Sequence, residues 1–391
     1  PMLAMPFEGE QLGACTDCRR FWGKYRAGEI SDARINDIEG KLATTAGTCA
    51  VMGTASTMAC ITEVLGMSLP GGAAIPAVHA DRLRLAEACG ERAMEMAVSG
   101  SPLPQQIITS KAIENALTVL LAISGSTNAV VHLAAIAGRC GIDLPLETIN
   151  RISDETPVLV NLKPTGDHYM QDLFAAGGLT AVLHELKHQL HLDCLTVTGE
   201  TLGQWLSEPP KWVDRNVIRK FKEPYQQEGG LIALFGTLAP TGAIIKRAAA
   251  DSRLFERTGR AVVFESLEDL SSRIDSEELD VTEDDFLVLK NAGPKSASCM
   301  PEAGYLPIPK KLAARGVKDM VRISDARMSG TAFGTVVLHV SPDASSGGSL
   351  AFVRTGDQIR LSVKEKKLDL LVSEEELALR QRNWKAPDIP G

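Results

Sequence analysis

Leu231-Ile232-Ala233-Leu234-Phe235 follows Gly229-Gly230 directly, and it is the first of a series of short apolar runs. A run of this length bounded by glycine reads as a buried strand. Six more follow: Ala261–Phe264, Phe286–Leu289, Thr335–Val340, Leu350–Val353, Ile359–Val363 and Leu368–Val372. Together they predict a β-rich barrel or sandwich with short helices over residues 229–391. The intervening segment Glu265–Asp285 carries ten acidic residues and reads as a solvated face, because blocks of like charge repel and hydrate.

Upstream the texture differs. Pro209-Pro210, Pro224 and Gly229-Gly230 break a polar stretch, Glu208–Gly230, which sets a domain boundary between residues 228 and 229. Before it, Thr54–Leu65 and Asp81–Met96 carry apolar residues at three- and four-residue spacing. Ala129–Ala137 and Leu173–Leu190 continue that helical pattern, and Ile30–Leu42 is polar with the same period. Ala116–Ile123 leaves room for a parallel sheet. The class is therefore α/β, with a mostly helical N-terminal domain, and 391 residues exceed one ordinary core.

Composition narrows the function. Apolar residues at 44% and charged residues at 23% exclude a disordered or fibrous chain. A net charge of −8 gives no basic footprint for nucleic acid. Eight cysteines are too sparse for a disulfide scaffold and no secretory signal opens the chain, so a cytoplasmic location is expected. Asn115–Gly138 imitates a membrane span, but Ser124-Gly125-Ser126-Thr127-Asn128 interrupts it, so no membrane is expected. Pro1-Met2-Leu3 lacks an initiating methionine and suggests a processed chain or part of a longer protein.

Several motifs compete for the chemistry. His184-Glu185-Leu186-Lys187-His188 matches H-E-x-x-H, a zinc pattern, but Lys187 inside it and the absence of a suitable third ligand favour a surface amphipathic helix. Cys15-Thr16-Asp17-Cys18 is a lone C-x-x-C with no second pair, and is read as incidental thiols. Gly47–Met58 crowds small residues and hydroxyls around Cys49 at a turn leading into a helix, where backbone N–H groups favour a thiolate able to ligate metal; a packed small-residue turn is the alternative. Ser324–Gly334 places Ser329 and Thr331 among glycines before an apolar strand, without a hydrolase triad. Glu302 stands in a Gly/Pro-rich loop, Asn291–Gly304, suited to a hard cation or simply exposed.

Gly47–Met58, Gly125–Ala129, the loop from Gly293-Pro294-Lys295 to Met300-Pro301-Glu302, and Ser324–Gly334 with Leu338-His339-Val340 stand in one order. In this the chain resembles the dihydroxy-acid and 6-phosphogluconate dehydratase family over nearly its whole length. Asp325–Thr331 and Pro307–Lys311 resemble its sugar-acid (aldonate, arabinonate-type) branch. The resemblance implies a C-terminal β-barrel-like domain and a hydro-lyase turning a 2,3-dihydroxy sugar acid into a 2-keto-3-deoxy acid. It also implies an iron–sulfur cluster ([2Fe-2S] favoured over [4Fe-4S]) and Mg²⁺. By position, Cys49 matches a cluster ligand, Glu302 a Mg²⁺ ligand, Ser329 the serine alkoxide base and Thr331 a substrate contact. Family members are homodimers or homotetramers. The other cluster cysteines, Mg²⁺ aspartates and a modified lysine of the family lie ahead of Pro1, and a C-terminal tail is also missing. The N-terminal domain is thus expected to be incomplete and this chain alone inactive. Alternatives are a dihydroxy-acid dehydratase of branched-chain amino-acid synthesis and a non-catalytic remnant that binds a sugar acid or a partner.

Overall fold

The structure is a computed structural model describing residues 1–302, 304–329 and 333–387. The chain forms two compact units: Pro1–Arg19 with Asn36–Gly230, and Arg20–Ile35 with the chain from Leu231 onward.

The first unit is helical. Its centre is the helix Ser110–Ala122, whose residues 115–122 are all buried. Thr109 caps it by accepting from the Ala112 amide at 3.2 Å, satisfying one of the first-turn donors. Helices Thr54–Val64, Asn128–Arg139 and Leu146–Glu155 pack around it. The expected room for a parallel sheet at Ala116–Ile123 is therefore corrected: an apolar run of this length has no period of its own, and its continuity with the capped turn makes it helix. Strand pairing among the described residues of this unit is limited to the hairpin β1 (Met5–Phe7) and β2 (Glu10–Leu12) and a few isolated bridges. Leu173–Leu190, read as one helix, is two, broken at Gly177 with φ 116°.

Among the described residues the second unit is built on one eight-stranded sheet. Its strands are β3 (Ile232–Leu234), β4 (Gly242–Ile245), β5 (Glu256–Phe264), β6 (Phe286–Leu289), β7 (Arg322–Ser324), β8 (Val336–Ser341), β9 (Gln358–Ser362) and β10 (Lys367–Leu370). The order is β10-β9-β5-β6-β7-β8-β4-β3, with β5 to β8 parallel and the flanks antiparallel. A bridge between Phe235 and Lys367 brings the two edges together, so the sheet is nearly closed and barrel-like. Alternation decides the cores: Ala261, Val263, Phe286 and Val288 fill the interior, while Val262, Phe264, Leu287 and Leu289 pack outward against Leu270 and Ile274. Both faces are buried, which is why the parallel strands read as unbroken apolar runs. The acidic segment after β5 holds the helix Leu267–Arg273. It is not wholly solvated, since buried Asp285 receives Arg260 at 2.9 Å.

Candidate active site

In the first unit the Gly47–Met58 segment is a turn followed by the helix Thr54–Val64. Backbone bonds tie it down on both sides: Met52 donates to the Lys163 carbonyl at 3.0 Å, and Met170 to that of Ala50 at 2.7 Å. Ala50 and Val51 are fully buried with Met2, Ala4 and Tyr169. Gly53 supplies no side-chain cap, and Thr54 instead shares a buried hydroxyl network. Its Oγ1 lies 2.9 Å from the Ser126 hydroxyl and accepts from Asn128 Nδ2 at 3.1 Å, while the Ser126 amide donates to Thr57 Oγ1 at 3.0 Å. The two small-residue motifs Gly47–Met58 and Gly125–Ala129 thus form one structure.

Cys49 sits in the turn, half-buried, and its Sγ lies 2.9 Å from the Sγ of Cys15. That neighbouring thiol, and then burial, push the Cys49 pKa well above the ordinary thiol range. Backbone N–H groups of Cys15 and of Cys49 itself oppose that rise, and Cys49 stands ahead of Gly53 and the helix Thr54–Val64. Cys15 opens the helix Cys15–Arg26. Asp17, in its first turn, is buried and accepts from the Gly13 amide at 2.8 Å and from Lys163 Nζ at 3.3 Å, with the Tyr169 hydroxyl 2.9 Å away. The sequence reading takes Cys15 with Cys18 as a C-x-x-C of incidental thiols, and local spacing gives no sign of its approach to Cys49.

In the second unit, Glu302 and Ser329 lie on two loops that Arg327 fastens together. Its Nη1 donates to Glu302 Oε1 at 2.6 Å and its Nε to the Met300 carbonyl at 2.8 Å, while its own carbonyl accepts from the Gly304 amide at 3.1 Å. Gly304 is required by closeness: a Cβ there would stand 2.3 Å from Leu338 Cδ2. Asp325 accepts from the Ala292 and Ala344 amides at 3.1 and 2.9 Å, joining the ends of three loops. Burial, opposed by those amides, raises its pKa to about 6. Burial also lowers Lys246, at the end of β4, to about 7. Thr331 lies outside the described residues.

The far end of the Ser329 loop is held by a buried ion pair. Arg322 Nη2 meets Asp319 Oδ1 at 2.8 Å, with the two side chains 1% and 6% exposed. Asp319 also accepts from the Thr335 amide and hydroxyl, and Arg322 donates to the Tyr305 and Phe333 carbonyls. Gly334, at φ 117°, has no space for a Cβ, which would stand 1.9 Å from Arg322 Nη2.

The H-E-x-x-H residues do not converge. Glu185 binds Arg215 at 2.7 Å, His188 lies edge-on to Phe221 at 4.3 Å, and His191 meets Glu114 at 2.8 Å. No group of three or more His, Cys, Asp or Glu suited to a metal occurs among the described residues. As donors, Cys49 offers the soft sulfur an iron–sulfur cluster takes and Glu302 the hard oxygen Mg²⁺ takes. Each fits by type, but the described residues do not assemble a full ligand set for either group.

Residues 1–205 match the N-terminal part, and residues 216–390 the C-terminal part, of the dihydroxy-acid/6-phosphogluconate dehydratases. The chain belongs to that family, whose members are dehydratases, that is hydro-lyases. It is 48% identical to a putative dehydratase of Rhizobium meliloti (strain 1021) over 99% of this chain and 67% of the relative. It is 46% identical to an L-arabinonate dehydratase of Rhizobium leguminosarum bv. trifolii over 100% of this chain and 68% of the relative. A 6-deoxy-6-sulfo-D-gluconate dehydratase of Pseudomonas putida is 42% identical, over 97% and 66% respectively. No helix among the described residues is long and apolar enough to cross a membrane.

Proposed function

We propose that this chain belongs to an enzyme dehydrating a 2,3-dihydroxy sugar acid of the aldonate class to a 2-keto-3-deoxy acid. The observation that carries this reading is the Arg327 fastening, which presents Glu302 and Ser329 from neighbouring loops of one barrel end. The likeness to an L-arabinonate dehydratase over the whole chain supports the substrate class.

In this reading Ser329 takes the C2 proton, and Thr331 contacts the substrate. A serine hydroxyl is far too weak a base unless positive charge stabilises its alkoxide. Arg327 orients the loop that carries it, and Asp325 fixes where that loop leaves β7. Cys49 would hold the iron–sulfur cluster, [2Fe-2S] in our reading, and Glu302 the Mg²⁺, each with further ligands. When bound, these groups supply Lewis acidity toward the departing hydroxyl and the C2 proton. We further propose a boundary at residues 228/229, a cytoplasmic homodimer or homotetramer, and inactivity of the 391-residue chain by itself.

The test is a panel of sugar acids and of 2,3-dihydroxy branched-chain acids offered to the cluster-loaded enzyme in its longest natural form, with 2-keto acid formation as readout. Turnover of an aldonate in preference to the branched acids is expected. Turnover of the branched acids alone would overturn the substrate assignment, and no turnover of either would favour a non-catalytic role.

A further inference from the structure

We infer that Cys15 and Cys49 form a reversible disulfide in the cluster-free chain, a modification site distinct from the role proposed for Cys49 in ligation. The two Sγ atoms stand 2.9 Å apart, although the residues are 34 positions apart in sequence. A disulfide bond is about 2.05 Å long, so closure needs a movement of under about 1 Å. Both side chains are half-buried, which leaves the pair open to a small reagent. Both residues belong to the first unit, and their backbones are anchored by hydrogen bonds. Cys15 begins a twelve-residue helix whose first turn is anchored by Asp17, and Cys49 lies in a turn pinned by the Met52 and Met170 amides. Cys18, the other half of the C-x-x-C, follows Cys15 by one helical turn, while the Cys49 sulfur stands 2.9 Å from that of Cys15.

The chemistry balances with a small-molecule disulfide such as oxidised glutathione as the oxidant. One protein thiolate attacks a sulfur of the reagent, forming a mixed disulfide and releasing one reduced thiol. The neighbouring protein thiol, losing its proton to solvent, then displaces the second reduced thiol. The protein loses two hydrogens, and the reagent disulfide is reduced to two thiols. While the bond is closed, Cys49 is not available to iron. That consequence rests on the proposed ligation, whereas the disulfide itself does not.

The experiment is peptide mapping of the folded, metal-free 391-residue chain after exposure to oxidised glutathione and quenching with an alkylating agent. The expected product is a cross-linked peptide pair joining Cys15 to Cys49, two hydrogens lighter than the reduced pair and reopened by dithiothreitol. Cys18→Ser should leave that product in place. Cys15→Ser should convert Cys49 to a persistent glutathione adduct. A Cys15–Cys18 link, glutathione remaining on both Cys15 and Cys49, or two reduced thiols after oxidation would each overturn the inference. The wild-type map decides the matter without any variant. A separate arm measures iron uptake by the oxidised and reduced enzyme in its longest natural form, whose reduced state takes up iron: equal uptake with the cross-link in place would sink the ligation role of Cys49 and leave the disulfide standing.

Discussion

Asp319→Asn tests whether the buried pair beneath the Ser329 loop is a structural hinge pin. The substitution keeps the shape and removes the charge. Arg322, 1% exposed, would retain the Tyr305, Leu306, Met320 and Phe333 carbonyls but lose its only described anion. Breaking a buried pair in this way costs about 3–5 kcal/mol, because a desolvated charge is left uncompensated. The damage also spreads, since Asp319 receives the Thr335 amide at 2.8 Å and its hydroxyl at 2.7 Å, and an amide side chain can serve fewer of these donors. At about 2–4 °C per kcal/mol for a unit of this size, the transition of the second unit should fall by roughly 6–20 °C. Calorimetry resolves that easily. Arg322→Met leaves Asp319 with its Thr335 donors and should cost less, and adding it to Asp319→Asn should restore part of the loss. The reasoning fails if Asp319→Asn costs under about 1 kcal/mol, or if the double variant shows no coupling.

Gly334→Ala should destabilise the same loop by about 1–3 kcal/mol, the usual cost of forcing a side chain into left-handed backbone, measured as a fall in denaturant midpoint. Glu63, 0% exposed, is raised by burial to about 7 from 4.5 while accepting the Gly71 and Ala73 amides at 2.8 and 2.6 Å. The folded state therefore binds the extra proton, and the stability this contributes is full below pH 4.5 and lost as pH rises through about 7. The slope approaches about 1.4 kcal/mol per pH unit at most. Glu63→Gln should flatten stability across that window and lower it overall, because its NH₂ would face one of two amide donors; an unchanged slope in urea titrations would remove Glu63 as the cause. On the proposed mechanism, Ser329→Ala in the loaded enzyme should abolish turnover and leave the visible absorption of the cluster intact, whereas Cys49→Ser should bleach it. Near-normal turnover by the serine variant would dismiss it as the base.

What the sequence made legible follows from where the physical signal was local. Phe286–Leu289 was readable because a parallel strand buried on both faces is continuously apolar. Gly242–Ile245 and Arg322–Ser324 were missed, since the first is a brief run opened by glycine and the second is led by a charged residue. The strand content of Arg322 is intelligible only with Asp319 and four carbonyls around it, which tertiary structure alone supplies. Leu350–Val353 read as a strand but lies in the 3₁₀ turn Ser349–Phe352, directly after Gly347 in the left-handed region, where the chain has already curled away from extended geometry. The candidate site divides in the same way. Glu302 and Ser329 stood out as single residues in glycine-rich loops, but nothing in their spacing announced that Arg327 would join them. Exposed to about two fifths on each side, that ion pair contributes little to stability by itself, so its value lies in fixing the distance between two loops. Cys15 gives the sharper case. Its spacing to Cys18 invited a local reading and a dismissal, while its actual partner is reached only because the turn at Gly47 and the helix at Cys15 are folded against one small core. Pairings made by packing leave no mark on local sequence, and they are where a site's chemistry is decided.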